Sequence, residues 1–283
     1  MKIFNSKEDI SKVIEGVKTQ NKSVGFVPTM GALHNGHLSL VRKALNENTT
    51  VVVSVFVNPT QFDKKEDLEK YPRTLKRDIN LLKTLSENNI IIYVPSINDI
   101  YEGNIKALKF DFDGLENEME GEFRPGHFDG VGTVVKRLFE IVKPDNAYFG
   151  EKDFQQLQII KKLVEKFLMP IDVIGCKIYR EKSGLALSSR NERLKPEYKK
   201  AAPEIFKILK AVKEKFGEQS TKKVIEWVVK EFAKQKLLEL EYFMIADVKT
   251  LKKIKRKSNK KTYRAFIAVY ASDIRLIDNI ALN

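Results

Sequence analysis

The sequence predicts an α/β protein: a parallel sheet covered by helices over residues 1–183, then a smaller α+β domain over 184–283. Two patterns carry this. Short runs that are almost wholly apolar or β-branched alternate with longer segments of helical period, as strands buried on both faces and their crossover helices require. Near residue 184 the alternation stops, and two helical segments are followed by three strand-like runs close in sequence. Hydrophobic residues make up 42% of the 283, enough for a sizeable core.

Taken in order, Ser6–Val17 has helical spacing. Ser23–Val27 is the first expected strand and Gly36–Asn48 its following helix. Thr50–Val57 and Ile90–Val94 are the runs expected of fully buried strands, with a helix over Thr74–Glu87 between them. Gly130–Val142 reads as a helix, Asn146–Phe149 as a short strand, Asp153–Phe167 as a helix and Ile171–Cys176 as a strand. In the C-terminal third, Pro196–Phe216 and Thr221–Gln235 read as helices. Glu239–Val248, Tyr263–Ala271 and Ile274–Asn279 read as strands, the last two forming a hairpin.

Composition narrows the function classes. No apolar run reaches the roughly 18 residues a membrane span needs, and Met1–Ser6 lacks a signal-peptide core. The lone Cys176 has no internal disulfide partner, so a reducing cytoplasm is the expected compartment, with Cys176 a small buried hydrophobe rather than a nucleophile. The net charge of +13 is spread along the chain except for the block 252–261. That block has no interleaved aromatics and reads as a solvated loop, so no nucleic-acid partner and no membrane partner are expected.

The chemistry concentrates in clusters at expected strand ends. His34-Asn35-Gly36-His37 places two of only three histidines across a glycine, between a strand and a helix. Free N–H groups and the helix dipole there favour a phosphate, so the pair points to a nucleoside triphosphate. Asn58 and Gln61 follow a buried strand and offer paired donors and acceptors to a small hydroxy acid, although Asn58-Pro59 is also a turn signal. Thr74 is a candidate helix cap. Arg124, in the loop Phe123–Gly130 that holds His127, is an anion contact or a surface arginine, and Asp129 a simple N-cap. Lys152 and Asp153 follow Gly150 and suit a phosphate and a ribose hydroxyl, with Asp153 as a plain N-cap the alternative. Ser188, Ser189 and Arg190 suit a triphosphate closed over from the second domain.

In order, these segments closely resemble the pantoate–β-alanine ligase family. The matching stretches are PTMGALHNGHLSLV at 28–41, VNPTQF at 57–62, YPRTL at 71–75, RPGHFDGV at 124–131, AYFGEKDFQQL at 147–157 and GLALSSRN at 184–191. The His-x-Gly-His belongs to a wide nucleotidyltransferase superfamily; its combination with the other motifs is specific to this family. The resemblance implies a Rossmann-like N-terminal domain, a C-terminal lid domain and a homodimer. It implies ATP-dependent joining of (R)-pantoate and β-alanine through pantoyl adenylate, with Mg²⁺. It implies that His34, His37, Lys152 and Arg190 act in catalysis. Met30, Gly31, Gly36, Gly150, Glu151, Asp153, Tyr179, Leu187, Ser188 and Ser189 would join them around ATP. Gln61, Gln156, Asn58, Met30 and Arg124 would surround pantoate and β-alanine. No protein ligand for the metal is assigned. Lys177 and Ser183 depart from the family pattern near Tyr179, which bears on adenine contacts, and Tyr101-Glu102 stands where the family tends to have Tyr-Pro.

Two other readings compete. A related adenylyl- or cytidylyltransferase acting on a phosphorylated acceptor would want Arg or Lys where Asn58, Gln61 and Gln156 stand. An RNA-binding module with a relic synthetase core would use the +13 charge and would bind RNA with a steep salt dependence.

Overall fold

A computed structural model describes residues 1–62 and 65–283. It divides into two units. The first comprises Met1–Glu151 and Gln155–Lys177, the second Lys152–Phe154 and Ile178–Asn283.

The first unit is built on a six-stranded sheet in which every neighbouring pair is parallel. Its strands are β1 (Lys2–Phe4), β2 (Val24–Thr29), β3 (Thr50–Val55), β4 (Ile90–Tyr93), β5 (Asn146–Gly150) and β6 (Asp172–Cys176), in the order β1-β4-β3-β2-β5-β6. The apolar runs become its centre: Val51–Ser54 and all of β4 are buried. Helices α1 (Lys7–Lys18), α2 (Asn35–Glu47), α3 (Lys65–Glu69), α4 (Leu75–Lys83), α5 (Ile97–Tyr101), α6 (Glu120–Phe123), α7 (His127–Val142) and α8 (Phe154–Lys166) connect and cover it. Leu38, Val41 and Ala44 of α2 pack with Val27, Val51, Val53, Ile90 and Ile92. Each such Val, Leu or Ile side chain contributes about 1.5–3 kcal/mol of burial. Elsewhere Phe139 of α7 meets Phe26 and Phe149 edge-on, with ring centroids 6.1 and 6.4 Å apart.

This strand order positions the site. The chain winds from β2 through β3 to β4 on one side, and from β5 to β6 on the other. The direction reverses between β2 and β5, so the carboxyl ends of these two strands form the switch point where open α/β sheets take their ligands.

The second unit carries an antiparallel sheet, β7 (Glu239–Asp247), β8 (Tyr263–Ala271) and β9 (Ile274–Ala281), in that order. Its helices are α9 (Pro196–Ala201), α10 (Glu204–Glu218) and α11 (Thr221–Ala233). Ile205, Leu209 and Val212 of α10 and Val224 and Val228 of α11 share a core with Ile245, Ala265, Ile267 and Val269 of the sheet. At its margin Arg180 forks onto the Asp278 carboxylate at 2.6 and 2.8 Å and stacks on Phe206, 3.6 Å from the ring centroid.

The structure differs from the sequence expectations at several places, the short helices α3, α5 and α6 among them. The helix expected over Pro196–Phe216 is two helices, because Pro203 has no N–H and its ring blocks the preceding turn. β1 escapes the pattern: three residues, mostly exposed at the sheet edge, are too few to show a period. Asp129 is not an N-cap; α7 begins at His127 after Gly126, and Asp129 instead accepts from Phe110 N at 3.1 Å and Lys109 at 2.7 Å. Thr74 stands at the N-cap of α4, but its hydroxyl donates to Asp78 rather than capping the backbone.

Candidate active site

The site begins with local geometry after β2. Gly31 (φ +82°) and Ala32 (φ +50°) both lie in the left-handed region, which turns the chain sharply into α2. A Cβ at Gly31 would stand 3.0 Å from Val55 and 3.3 Å from the Asp78 carboxylate, tighter than ordinary contact, so a side chain there would press on both as well as strain φ. His34 is the N-cap of α2, and its Nδ1 accepts from Gly36 N at 3.1 Å. His37 completes the capping box: its Nδ1 accepts from His34 N at 3.4 Å. The two rings lie 4.1 Å apart, tilted by 30°. Because both Nδ1 atoms accept, each neutral ring carries its proton on Nε2. The pair therefore carries its N–H protons on Nε2 at a helix N-terminus, a setting suited to anionic oxygens. Met30 precedes the pair and Gly36 lies between the two histidines, both half-buried.

Asn58 and Gln61 stand together on the short 3₁₀ turn Pro59–Gln61 after β3. They are disposed differently. Asn58 is 1% exposed, with Nδ2 donating to Gly130 O at 3.1 Å and Oδ1 accepting from Tyr101 and Thr60. Its amide is committed inside the protein. Gln61 is half-buried, and among the described residues its side-chain amide has no hydrogen-bond partner. Its backbone carbonyl is gripped twice, by Arg124 Nη2 at 3.1 Å and by His127 Nδ1 at 3.0 Å. Arg124 Nη1 also points at His127 Nε2, 3.2 Å away, so His127 is a neutral ring with its proton on Nδ1. Arg124, read as an anion contact or a surface arginine, is thus engaged with the Gln61 loop. Gly130 lets α7 come this close: a Cβ there would stand 2.3 Å from Thr60 O.

At the end of β5, Gly150 leaves open the space a Cβ would take, and Glu151 follows half-buried. The two adjacent glutamines of α8 have different surroundings. Gln155, 4% exposed, donates to Leu115 O at 2.8 Å and Glu118 O at 2.6 Å and accepts from Glu120 N at 3.0 Å. Gln156 is half-buried and has no hydrogen-bond partner among the described residues. Cys176, at the end of β6, is buried, and burial pushes its thiol up to about 11, consistent with a packing role.

The second unit holds the remaining candidates. Lys152 and Asp153 form a loose pair at 3.8 Å, the lysine mostly covered and the aspartate exposed. Buried Asn279 donates to Lys152 O at 2.9 Å, and Arg264 lies 4.1 Å from the centroid of the Phe154 ring. Ser188 accepts from Arg190 N at 3.3 Å and caps the turn Ser189–Arg193; buried Asn191 donates to Ala186 O at 2.9 Å. Leu187 N donates to Tyr179 O at 3.0 Å, and Tyr179 is 39% exposed. Sequence reasoning missed Asp78, Gln155, Arg264 and Asn279. Only Asp78 left a signal: a charge on the stripe Asp78–Ile79–Leu82 that otherwise turns inward. Among the described residues no three His, Cys, Asp or Glu side chains are grouped to hold a metal ion.

Fold and site define a doubly wound α/β protein with a His-x-Gly-His helix N-terminus at its switch point. A family model described as pantoate-beta-alanine ligase matches residues 2–281. The pantothenate synthetase of Christiangramia forsetii is 55% identical over 283 residues, covering 100% of both chains. The crystal structure of pantothenate synthetase from Thermus thermophilus matches with a TM-score of 0.91 at 38% identity, covering 100% of this chain and 99% of that one. A pantoate-beta-alanine ligase from Francisella tularensis, solved in complex with beta-gamma ATP and β-alanine, matches with a TM-score of 0.80 at 36% identity, covering 100% and 98%. The chain belongs to the pantoate–β-alanine ligase family.

Proposed function

We propose that this chain condenses (R)-pantoate with β-alanine at the expense of ATP, giving pantothenate, AMP and diphosphate. A pantoate carboxylate oxygen attacks the α-phosphorus; the bond from that phosphorus to the bridging oxygen breaks, and diphosphate leaves. The β-alanine amine then attacks the acyl carbon of pantoyl adenylate, the acyl–oxygen bond breaks, AMP leaves, and the nitrogen gives up a proton. No protein nucleophile is needed. Catalysis is positioning and charge neutralisation, with water kept from the adenylate.

The observation that carries this reading is the capping box of His34 and His37, which sets two imidazoles, their protons on Nε2, at the N-terminus of α2 at the switch point. These donors take phosphate oxygens and stabilise charge as diphosphate departs. Lys152 and Arg190 add fixed positive charge, with Ser188 and Ser189 on the triphosphate. Met30, Gly31 and Gly36 line the phosphates, Gly150, Glu151 and Asp153 the ribose, Tyr179 and Leu187 the adenine. The free amides of Gln61 and Gln156 hold pantoate and, at Gln61, β-alanine. Asn58 and Arg124 serve that pocket by holding the Gln61 turn. Mg²⁺ arrives on the ATP phosphates as part of the substrate, in keeping with its preference for phosphate and water ligands. The working form is read as a cytoplasmic homodimer.

The test is exchange of labelled diphosphate into ATP with D-pantoate present and β-alanine absent. Pantoate-dependent exchange is expected. Its absence in folded protein with Mg²⁺ would transfer the assignment to a nucleotidyltransferase with another acceptor.

A further inference from the structure

We propose that Asp78, a residue of α4, is a positioning residue for the adenylation step, acting through the turn that carries the two histidines. Its side chain is fully buried. One carboxylate oxygen accepts from Ala32 N at 3.0 Å, the other from Leu33 N at 2.8 Å and from the Thr74 hydroxyl at 3.1 Å. Among the described residues no cation pairs with it. A buried carboxylate without a counter-ion is an expensive way to fill space, and apolar residues fill a core as well or better. What it can do that an apolar residue cannot is receive two successive backbone N–H groups. Gly31 and Ala32, both at positive φ, turn the chain so that the N–H groups of Ala32 and Leu33 converge on one anion. Ala32 is a non-glycine residue in that region, a conformation that persists only where its surroundings enforce it.

The next residue is His34. Its backbone N–H donates to His37 Nδ1, and that hydrogen bond keeps the His37 proton on Nε2. Asp78 thus reaches the reacting phosphates through a chain of contacts: carboxylate, Ala32–Leu33 turn, His34 N–H, His37 ring. Its negative charge works against a nearby triphosphate, so its contribution is geometric. This proposal rests on the reading of His34 and His37 as the phosphate-binding groups.

The experiment is Asp78→Asn, which keeps size and one acceptor but cannot receive both N–H groups as an anion does. Two readouts are taken. Long-range ¹⁵N spectra of the imidazoles resolve three rings, and His127, held in the opposite tautomer, is an internal control. In wild-type protein His34 and His37 are expected as Nε2–H tautomers. In the variant both are expected to leave that pattern while His127 stays. Diphosphate exchange with pantoate is expected to fall on the order of 100-fold in kcat, as for an ångström-scale misplacement. The reaction of supplied pantoyl adenylate with β-alanine, which involves no departing diphosphate, is expected to fall much less. Unchanged His34 and His37 spectra, or equal loss in both half-reactions, would overturn the proposal. If Asp78→Asn does not fold, Thr74→Val withdraws one hydrogen bond from the same carboxylate, and the same two rings must move. Absence of exchange in wild-type protein would count against the functional reading, while the spectra would still decide whether Asp78 governs the turn.

Discussion

At the scale of single residues, chemically identical side chains are separated by their surroundings. Gln155 and Gln156 are neighbours on α8, yet one is spent on three backbone groups of the 115–120 segment and the other is free among the described residues. Gln155→Ala is expected to cost about 2–3 kcal/mol of stability, because it strands buried backbone groups. Gln156→Ala is expected to leave the melting temperature unchanged and to raise the KM for pantoate. Thermal melts beside steady-state kinetics separate the two; similar melting losses in both would show Gln156 to be structural. His37→Ala is expected to lower kcat for diphosphate exchange roughly 100- to 1,000-fold, as loss of one preorganised donor does. Its effect on folding is expected to be small, since the half-buried ring supports little core packing. A variant that unfolds readily but is fully active per folded molecule would contradict that. The histidine pair was legible in the sequence from residue type, spacing and context. The resemblance singled out Gln156, but nothing in QQ itself records that the neighbouring Gln155 amide meets the Leu115 and Glu118 carbonyls.

At the scale of elements, the strands were the most legible parts, because burial on both faces writes an unbroken apolar run. The helix ends were less so. Pro203 splits one expected helix into two, and Asp129 serves the Leu108–Phe110 segment instead of a cap. Pairings between distant elements left no local trace. Arg180 and Asp278 lie 98 residues apart and form a bidentate pair that is 16% and 5% exposed. Asp278→Ala is expected to destabilise by about 3–5 kcal/mol, because it leaves the Arg180 charge covered and uncompensated. Denaturant melts of the intact chain measure this. A loss below about 1 kcal/mol would mean that the pair behaves as a surface ion pair. The clamp of Arg124 and His127 on Gln61 O is of the same kind: the motif announced a loop with chemistry, and only folding shows that two of its side chains grip the Gln61 loop.

At the scale of the whole molecule, the +13 charge raises the question of a polyanionic partner. The densest block, Lys252–Lys261, forms the connection between β7 and β8, and every lysine and arginine in it is exposed. Replacing Lys252, Lys253 and Lys255 by Gln is expected to leave the ligase rate unchanged. Any RNA retention by the wild-type chain is expected to be weak. A filter-binding titration against salt checks this; tight binding with a steep salt slope would point to a second role. The sequence by itself determined the α/β class, the change of pattern near residue 184, the histidine turn and the family. Each of these is written in local periodicity or in contiguous motifs. Only the tertiary structure decided the strand order that puts the ends of β2 and β5 at the switch point, the internal partners of the Gln155 amide, and the burial of Asp78 behind the turn. These depend on which distant groups meet once backbone N–H and C=O groups must find partners away from water, and that requirement acts on the folded chain as a whole.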